Sequence, residues 1–224
     1  MSLLTSLPEP TQAETLYREL KRRLMIGAFL PDQKLSLRKL SVEMDTGIMP
    51  VREALKRLAS ERVLSSSVKK SYVVPALDKK RAADLFNLRA LLESEAATLA
   101  APFIDADQMV ELRSCVDRVH ETIMAKHFDS YMVENQHFHF LIYRQCGNAD
   151  MIALIEQLWM QTGPSLRQGV ETSYPDPAWT DVHLALLDAL HKNRASGIRR
   201  HLLQDIRWDW AELGTPSIRA NGRK

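Results

Sequence analysis

Cysteine is scarce: Cys115 and Cys146 are the only two in 224 residues. Two thiols build no disulfide framework, and they stand at no spacing that metal-binding cysteines use. Both fall inside helical patterns and read as reduced core thiols of a cytoplasmic protein. No apolar run approaches the ~18 residues that span a bilayer, which excludes a membrane helix. The opening MSLLTSLPEPTQ lacks a charged start followed by an apolar stretch, so it reads as a short arm over residues 1–10 and not as a secretory signal. There is no internal repeat and no nucleophile motif. The apolar share of 45% is that of an ordinary globular chain with room for one large or two modest domains.

Charge is unevenly spread. The net value of +2 hides 13 Lys/Arg against 8 Asp/Glu over residues 1–76, and 17 against 20 over residues 77–224. A basic N-terminal module on an acidic body suits a reader of phosphate backbones with a separate regulatory part. Chance variation of solvated faces produces the same imbalance, so charge alone decides nothing.

Periodicity is more informative. Leu16, Leu20, Leu24 and Met25 form one stripe of a helix over Thr15 to Ile26, which Gly27 closes. Ser36 caps a short helix with Leu37, Leu40 and Met44 inward, and Asp45-Thr46-Gly47 turns the chain. A further helix from about Ile48 to Ser60 buries Val51, Leu55 and Leu58 and carries Pro50 in its first turn. Val63–Ser67 and Tyr72–Pro75 alternate as a two-stranded hairpin with its tip at Val68–Ser71. Two helices, a tight turn and a hairpin make a winged helix-turn-helix over residues 11–76. From Leu77 the pattern is purely helical, with helices near 78–101, 106–125, 128–146, 149–163, 178–192 and 195–213, and separators that include Gly163-Pro164. The expected fold is mainly α, an N-terminal winged helix-turn-helix followed by an antiparallel helical bundle over 77–213 and a tail over 214–224.

In such a module the leading turn of the second helix enters the major groove of double-stranded DNA. Arg38 and Arg52 are the natural base or phosphate contacts, Arg57 lies exposed on the same helix, and Lys69 and Lys70 at the wing tip reach phosphate. Each of these residues alone is as readily a solvated surface charge.

The segment GAFLPDQKLSLRKLSVEMDTGIMPVREALKRLASERVL resembles the N-terminal domain of GntR-family transcription regulators, with Pro50-Val51-Arg52-Glu53-Ala54-Leu55 as the diagnostic block. The remainder, with Leu88-Arg89-x-x-Leu92-Glu93 and Phe138-His139 before Gly147-Asn148, resembles the FCD effector domain of the FadR subfamily. The likeness covers about residues 14–213. It implies a homodimeric regulator, most often a repressor, on an inverted-repeat operator, with a small carboxylate effector in the helical domain. Two departures stand out. Gly47-Ile48-Met49 replaces the family's Ser-Arg-Thr, so an arginine that reads guanine is replaced by Ile48, which contacts only a thymine methyl. Ser71 replaces the wing-tip glycine.

In FCD domains one pocket holds an Asp and a His spaced i, i+4 and two further His from the last two helices. The resemblance places Asn135, His139, His183 and Asp205 at those positions, with His201 one turn before Asp205. Such a set suits Zn, Ni or Mn, and equally a polar pocket without metal. Arg89 and Arg144 are candidates to bind the effector carboxylate, and Trp159 and Tyr143 to line the cavity; Arg89 stands as readily in a structural pair with Glu93. The competing reading, a metal-dependent enzyme, lacks a carboxylate placed as general base. A third is an effector-free dimer that only spaces two DNA modules.

Overall fold

The computed structural model describes residues 11–66, 71–172 and 177–213, with backbone alone for 178 and 208–213. The N-terminal module begins with α1 (Gln12–Met25), capped by the Thr11 hydroxyl, which accepts from the Glu14 amide. Its buried residues Leu16, Tyr17, Leu20, Leu24 and Met25 are the stripe of the sequence pattern. Gly27 ends the turn at φ +64°, a conformation that costs glycine little. The short α2 (Leu37–Glu43) starts at Ser36, whose hydroxyl accepts from the Lys39 amide, and α3 (Ile48–Ser60) follows after Gly47.

The wing differs from expectation. It has three strands, β1 (Lys34–Leu35), β2 (Ser65–Ser66) and β3 (Tyr72–Val73), with β3 central and both pairings antiparallel. β1 is too short to show a period of two, and only its buried Leu35 marks it. Val63 and Leu64 are core residues of the link after α3 rather than strand, because the Val63 amide donates to the Leu58 carbonyl as the helix ends. The expected tip, with Lys69 and Lys70, lies outside the described residues, as do the arm 1–10 and the tail 214–224.

The second part is the expected bundle: α4 (Lys79–Ala100), α5 (Ala106–Ala125), α6 (Phe128–Tyr143), α7 (Ala149–Thr172), α8 (Thr180–His191) and α9 (Ala195–Leu213). Helix α4 lies at its centre, packed on α9, α7 and α6, while α8 bridges α5 and α9. The stretch expected to finish the helix at 146 is instead a single 3₁₀ turn, Arg144–Cys146, closed by Gly147 at φ +70°. One apolar core runs without a break from Leu20, Leu24 and Leu55 into Trp159, Leu186 and Ile198.

The Gly163-Pro164 separator is overturned. Helix α7 runs straight through both residues. Pro164 gives up one backbone hydrogen bond, a loss offset by a long helix that is buried on both sides. Gly163 is required by packing: a Cβ there would lie 2.3 Å from the Leu24 carbonyl oxygen and 2.6 Å from that of Met25. The dipeptide thus marks where α7 crosses α1, not where it ends. Gly163→Ala gains about 1 kcal/mol of helix propensity but drives a methyl into backbone. It should therefore cost a net 1–2 kcal/mol or so. A denaturant midpoint at or above wild type would contradict this crossing.

Candidate functional site

Two surfaces carry chemistry. The first is the start of α3. Gly47 caps the helix without a side-chain hydrogen bond, so the leading amides face outward. Ile48 and Met49 are 41% and 57% exposed, and Val42 on α2 is 82% exposed, an apolar step beside Arg38 and Arg52. Among the described residues the guanidinium groups of Arg38 and Arg52 have no hydrogen-bond or ion-pair partner, and both residues are exposed. The reader turn projects from the core although the two halves share it.

Arg57 does not belong to this surface. Its guanidinium stacks 3.6 Å over the Tyr17 ring and bonds Glu14 at 2.7 Å and Glu61 at 3.2 Å. Tyr17 donates to Glu61 at 2.9 Å, and burial together with that carboxylate pushes its phenol up to about 12. Arg57 is therefore a clamp between α1 and the far end of α3.

The second site is buried between α6, α8 and α9. His139 Nε2 lies 3.0 Å from one Asp205 oxygen and His183 Nε2 lies 3.2 Å from the other. Trp179 Nε1 donates to Asp205 at 3.1 Å. His139, His183 and Asp205 are all buried. Burial pushes the Asp205 carboxyl up, but the imidazoles, His183 ahead of His139, pull it below the ordinary aspartate value. Asn135, one turn before His139, is buried, and its Oδ1 is without a hydrogen bond among the described residues.

A chain of hydrogen bonds fixes the His139 tautomer. Arg89 Nε donates to Glu93 at 2.6 Å, Trp159 Nε1 donates to Glu93 at 3.0 Å, and Tyr143 donates its only hydroxyl proton to Glu93 at 2.7 Å. Burial and then Glu93 hold the Tyr143 phenol well above its usual value, so it keeps that proton. His139 Nδ1, 3.1 Å from the Tyr143 oxygen, is consequently the donor of that pair. Its Nε2 is left facing Asp205, either protonated or with its lone pair directed at a cation.

The sequence-expected set divides here. His139, His183 and Asp205 come together, with Asn135 on the same helix face as His139. His201 does not join them: it is half-buried, beside Arg200 at 3.1 Å, and one turn along α9 is enough to carry it out of the cluster. Arg144 is exposed in the 3₁₀ turn, with its guanidinium 6.0 Å from the Phe140 ring. Arg89 is buried in its pair with Glu93 and lies 4.4 Å over the Trp159 ring, which is the structural alternative of the two open in the sequence. Glu93 as the anchor and Trp179 as an Asp205 partner were not found by sequence reasoning, because only the tertiary fold brings them to these helices.

Residues 12–74 match the bacterial regulatory proteins of the gntR family, and residues 84–207 match the FCD domain. The chain belongs to the GntR family, with an FCD domain as its C-terminal part. It is a DNA-binding transcription regulator and not an enzyme. It is 30% identical to the HTH-type transcriptional regulator McbR of Escherichia coli (strain K12) over 84% of this chain and 86% of that one. The HTH-type transcriptional repressor GlaR of the same organism is 28% identical over 64% of this chain and 67% of its own. The solved structure of E. coli McbR/YncC superposes with a TM-score of 0.85 at 26% identity, covering 91% and 97% of the two chains. Within this GntR-family fold, Arg57→Ala should loosen the α1–α3 junction by about 1 kcal/mol and leave affinity for operator DNA close to wild type. A large loss of DNA binding in a fluorescence titration would return Arg57 to the DNA surface.

Proposed function

We propose that this regulator acts as a homodimeric repressor on an inverted-repeat operator, with Arg38, Gly47, Ile48, Met49 and Arg52 at the base edges and a small carboxylate effector taken up beside a divalent metal. The buried His139–His183–Asp205 cluster carries the metal part of this reading. Two donors held about 2.1 Å from one ion sit roughly 3.0–3.4 Å apart, and the observed separations of 3.0 and 3.2 Å fall in that range. Neither ring nitrogen of His183 makes an aligned hydrogen bond among the described residues, so its Nε2 meets Asp205 closely but off line. Off-line contact suits two lone pairs converging on a third atom better than a hydrogen bond. His139, His183 and Asp205 would hold Zn, Ni or Mn, with the Asn135 amide oxygen as a further donor. Such an ion supplies a Lewis-acid point for an effector carboxylate oxygen.

The residues around the cluster link it to the DNA module. Trp159 on α7 donates to Glu93, and the same helix docks on the module, where Lys21 pairs with Glu156 and the Gln157 amide donates to the Glu61 carbonyl at 2.9 Å. An effector that favours one packing of α7 biases the placement of α1 and, through it, of α3.

Arg52→Ala should weaken binding to an operator selected from random duplexes by about 1–3 kcal/mol; unchanged affinity in a gel-shift series removes Arg52 from the bases. His139→Ala combined with His183→Ala should remove one equivalent per chain of Zn²⁺ uptake by calorimetry with the helical content retained. Undiminished uptake at the same stoichiometry rejects the buried metal site. DNA affinity should also fall steeply with salt, and a flat response would reject contacts led by phosphate.

A further inference from the structure

A second convergence of metal-ligating side chains lies on the seam of α5 and α6, with Glu111 exposed, His137 half-exposed and Cys115 buried. Glu111 and Cys115 stand one turn apart on α5, and His137 faces them from α6. The Glu111 carboxylate is 3.6 Å from the Cys115 sulfur and 3.7 Å from His137 Nε2, and all three donor atoms lie within 4.8 Å of one another. A tetrahedral ion bound at about 2.0–2.3 Å by oxygen, nitrogen and sulfur sets its donors roughly 3.3–3.7 Å apart. Two of the three separations already meet that requirement, and the third closes by rotation of the half-exposed His137.

The centre of this group is taken by a cation of the protein's own. Arg118 Nη2 lies 2.8 Å from the Cys115 sulfur and 2.9 Å from Glu111, and its Nε donates to Glu134 at 2.8 Å. Glu134 is one turn from His137 on α6 and gives the guanidinium a partner that does not depend on Glu111 or Cys115. Arg118 can therefore leave the sulfur without losing its carboxylate.

We propose that Glu111, Cys115 and His137 form a second metal site, for a thiophilic divalent cation of the zinc type, in which Arg118 occupies the cation's place until the metal displaces it toward Glu134. A thiol, an imidazole and one carboxylate select a borderline-soft ion over Mg²⁺ or Ca²⁺, which take oxygen. On binding, the Cys115 thiol gives its proton to solvent as the sulfur–metal bond forms, and water completes the coordination. This site is separate from the buried histidines and stands whether or not they hold metal.

Co²⁺ distinguishes the two sites, because only this one contains sulfur. Titrating the full-length protein with Co²⁺ should raise a thiolate-to-cobalt charge-transfer band in the near ultraviolet, with the amplitude of one cobalt–thiolate bond per chain at saturation and bleached by Zn²⁺. The band should vanish in Cys115→Ser and persist in Cys146→Ala. Losing the support of a metal ligand already costs 10–100-fold in affinity, so His137→Ala, which loses the ligand itself, should bind Co²⁺ at least about tenfold more weakly. Arg118→Met should bind it more tightly than wild type. Absence of the band in the wild-type protein, or its survival in Cys115→Ser, overturns the proposal.

Discussion

A carboxylate with no access to water organises the C-terminal domain. Glu93 is fully buried on α4, and a lone buried charge is far too costly to persist in a folded chain. Arg89, one turn earlier and equally buried, supplies the counter-charge, but the ion pair alone leaves oxygen lone pairs unfilled. Desolvation exceeds the Coulombic gain unless those positions are satisfied as well. Trp159 from α7 and Tyr143 from α6 satisfy them, so the requirement of one carboxylate sets the relative placement of three helices. The Tyr143 hydroxyl, with its proton committed to Glu93, then dictates which nitrogen of His139 faces Asp205. The buried site is thus oriented from behind, by a network of which Glu93 is the anchor and Arg89 the counter-charge.

Helix α7 carries this order outward. Its Trp159 belongs to the Glu93 network, and one turn further on the same helix meets α1 at a crossing so close that only glycine fits at position 163. A contact of backbone on backbone transmits displacement, because there is no flexible side chain between the helices to absorb it. The same feature misled the sequence reading. Gly-Pro is among the stronger punctuation marks of a chain, and local rules place a helix end there. The glycine answers instead to α1, which is more than a hundred residues away in sequence.

The rest of the fold divides along the same line. Elements whose signal is local and periodic were legible: the stripe of α1, the Ser36 cap, the Pro50 turn and the six helices after Leu77. β1, with two residues, has no period to read. Within the buried site, His139 and His183 follow from their place in the family pattern, and Asp205 follows by counting along the last helix. His201 fails on height, since one turn moves a side chain along the helix axis by more than a coordination sphere tolerates. Arg57 fails for another reason: its exposure was legible, but its partners Tyr17, Glu14 and Glu61 are held to it only by the packing of α1 on α3. The Glu111–Cys115–His137 group was invisible because its ligands sit on two helices with no spacing that a motif would record.

The two ligand sets handle the same electrostatic problem in opposite ways. In the family pattern the carboxylate of the buried site stands at the position of Asn135 and an imidazole at that of Asp205; in this chain the carboxylate sits on α9, and an amide takes the place on α6. The site keeps one formal negative charge and two of the three imidazoles, and the charge now comes from the opposite wall of the pocket. Trp179 is the donor that makes this relocation tolerable, since it caps the displaced carboxylate from the turn before α8. At the α5–α6 seam the negative charges of Glu111 and Glu134 are met by Arg118, a cation already in the chain. Burial explains the difference. Arg118 reaches its cluster from the surface, whereas around Asp205 the two imidazoles and the Trp179 N–H, or an ion held between the rings, meet the charge.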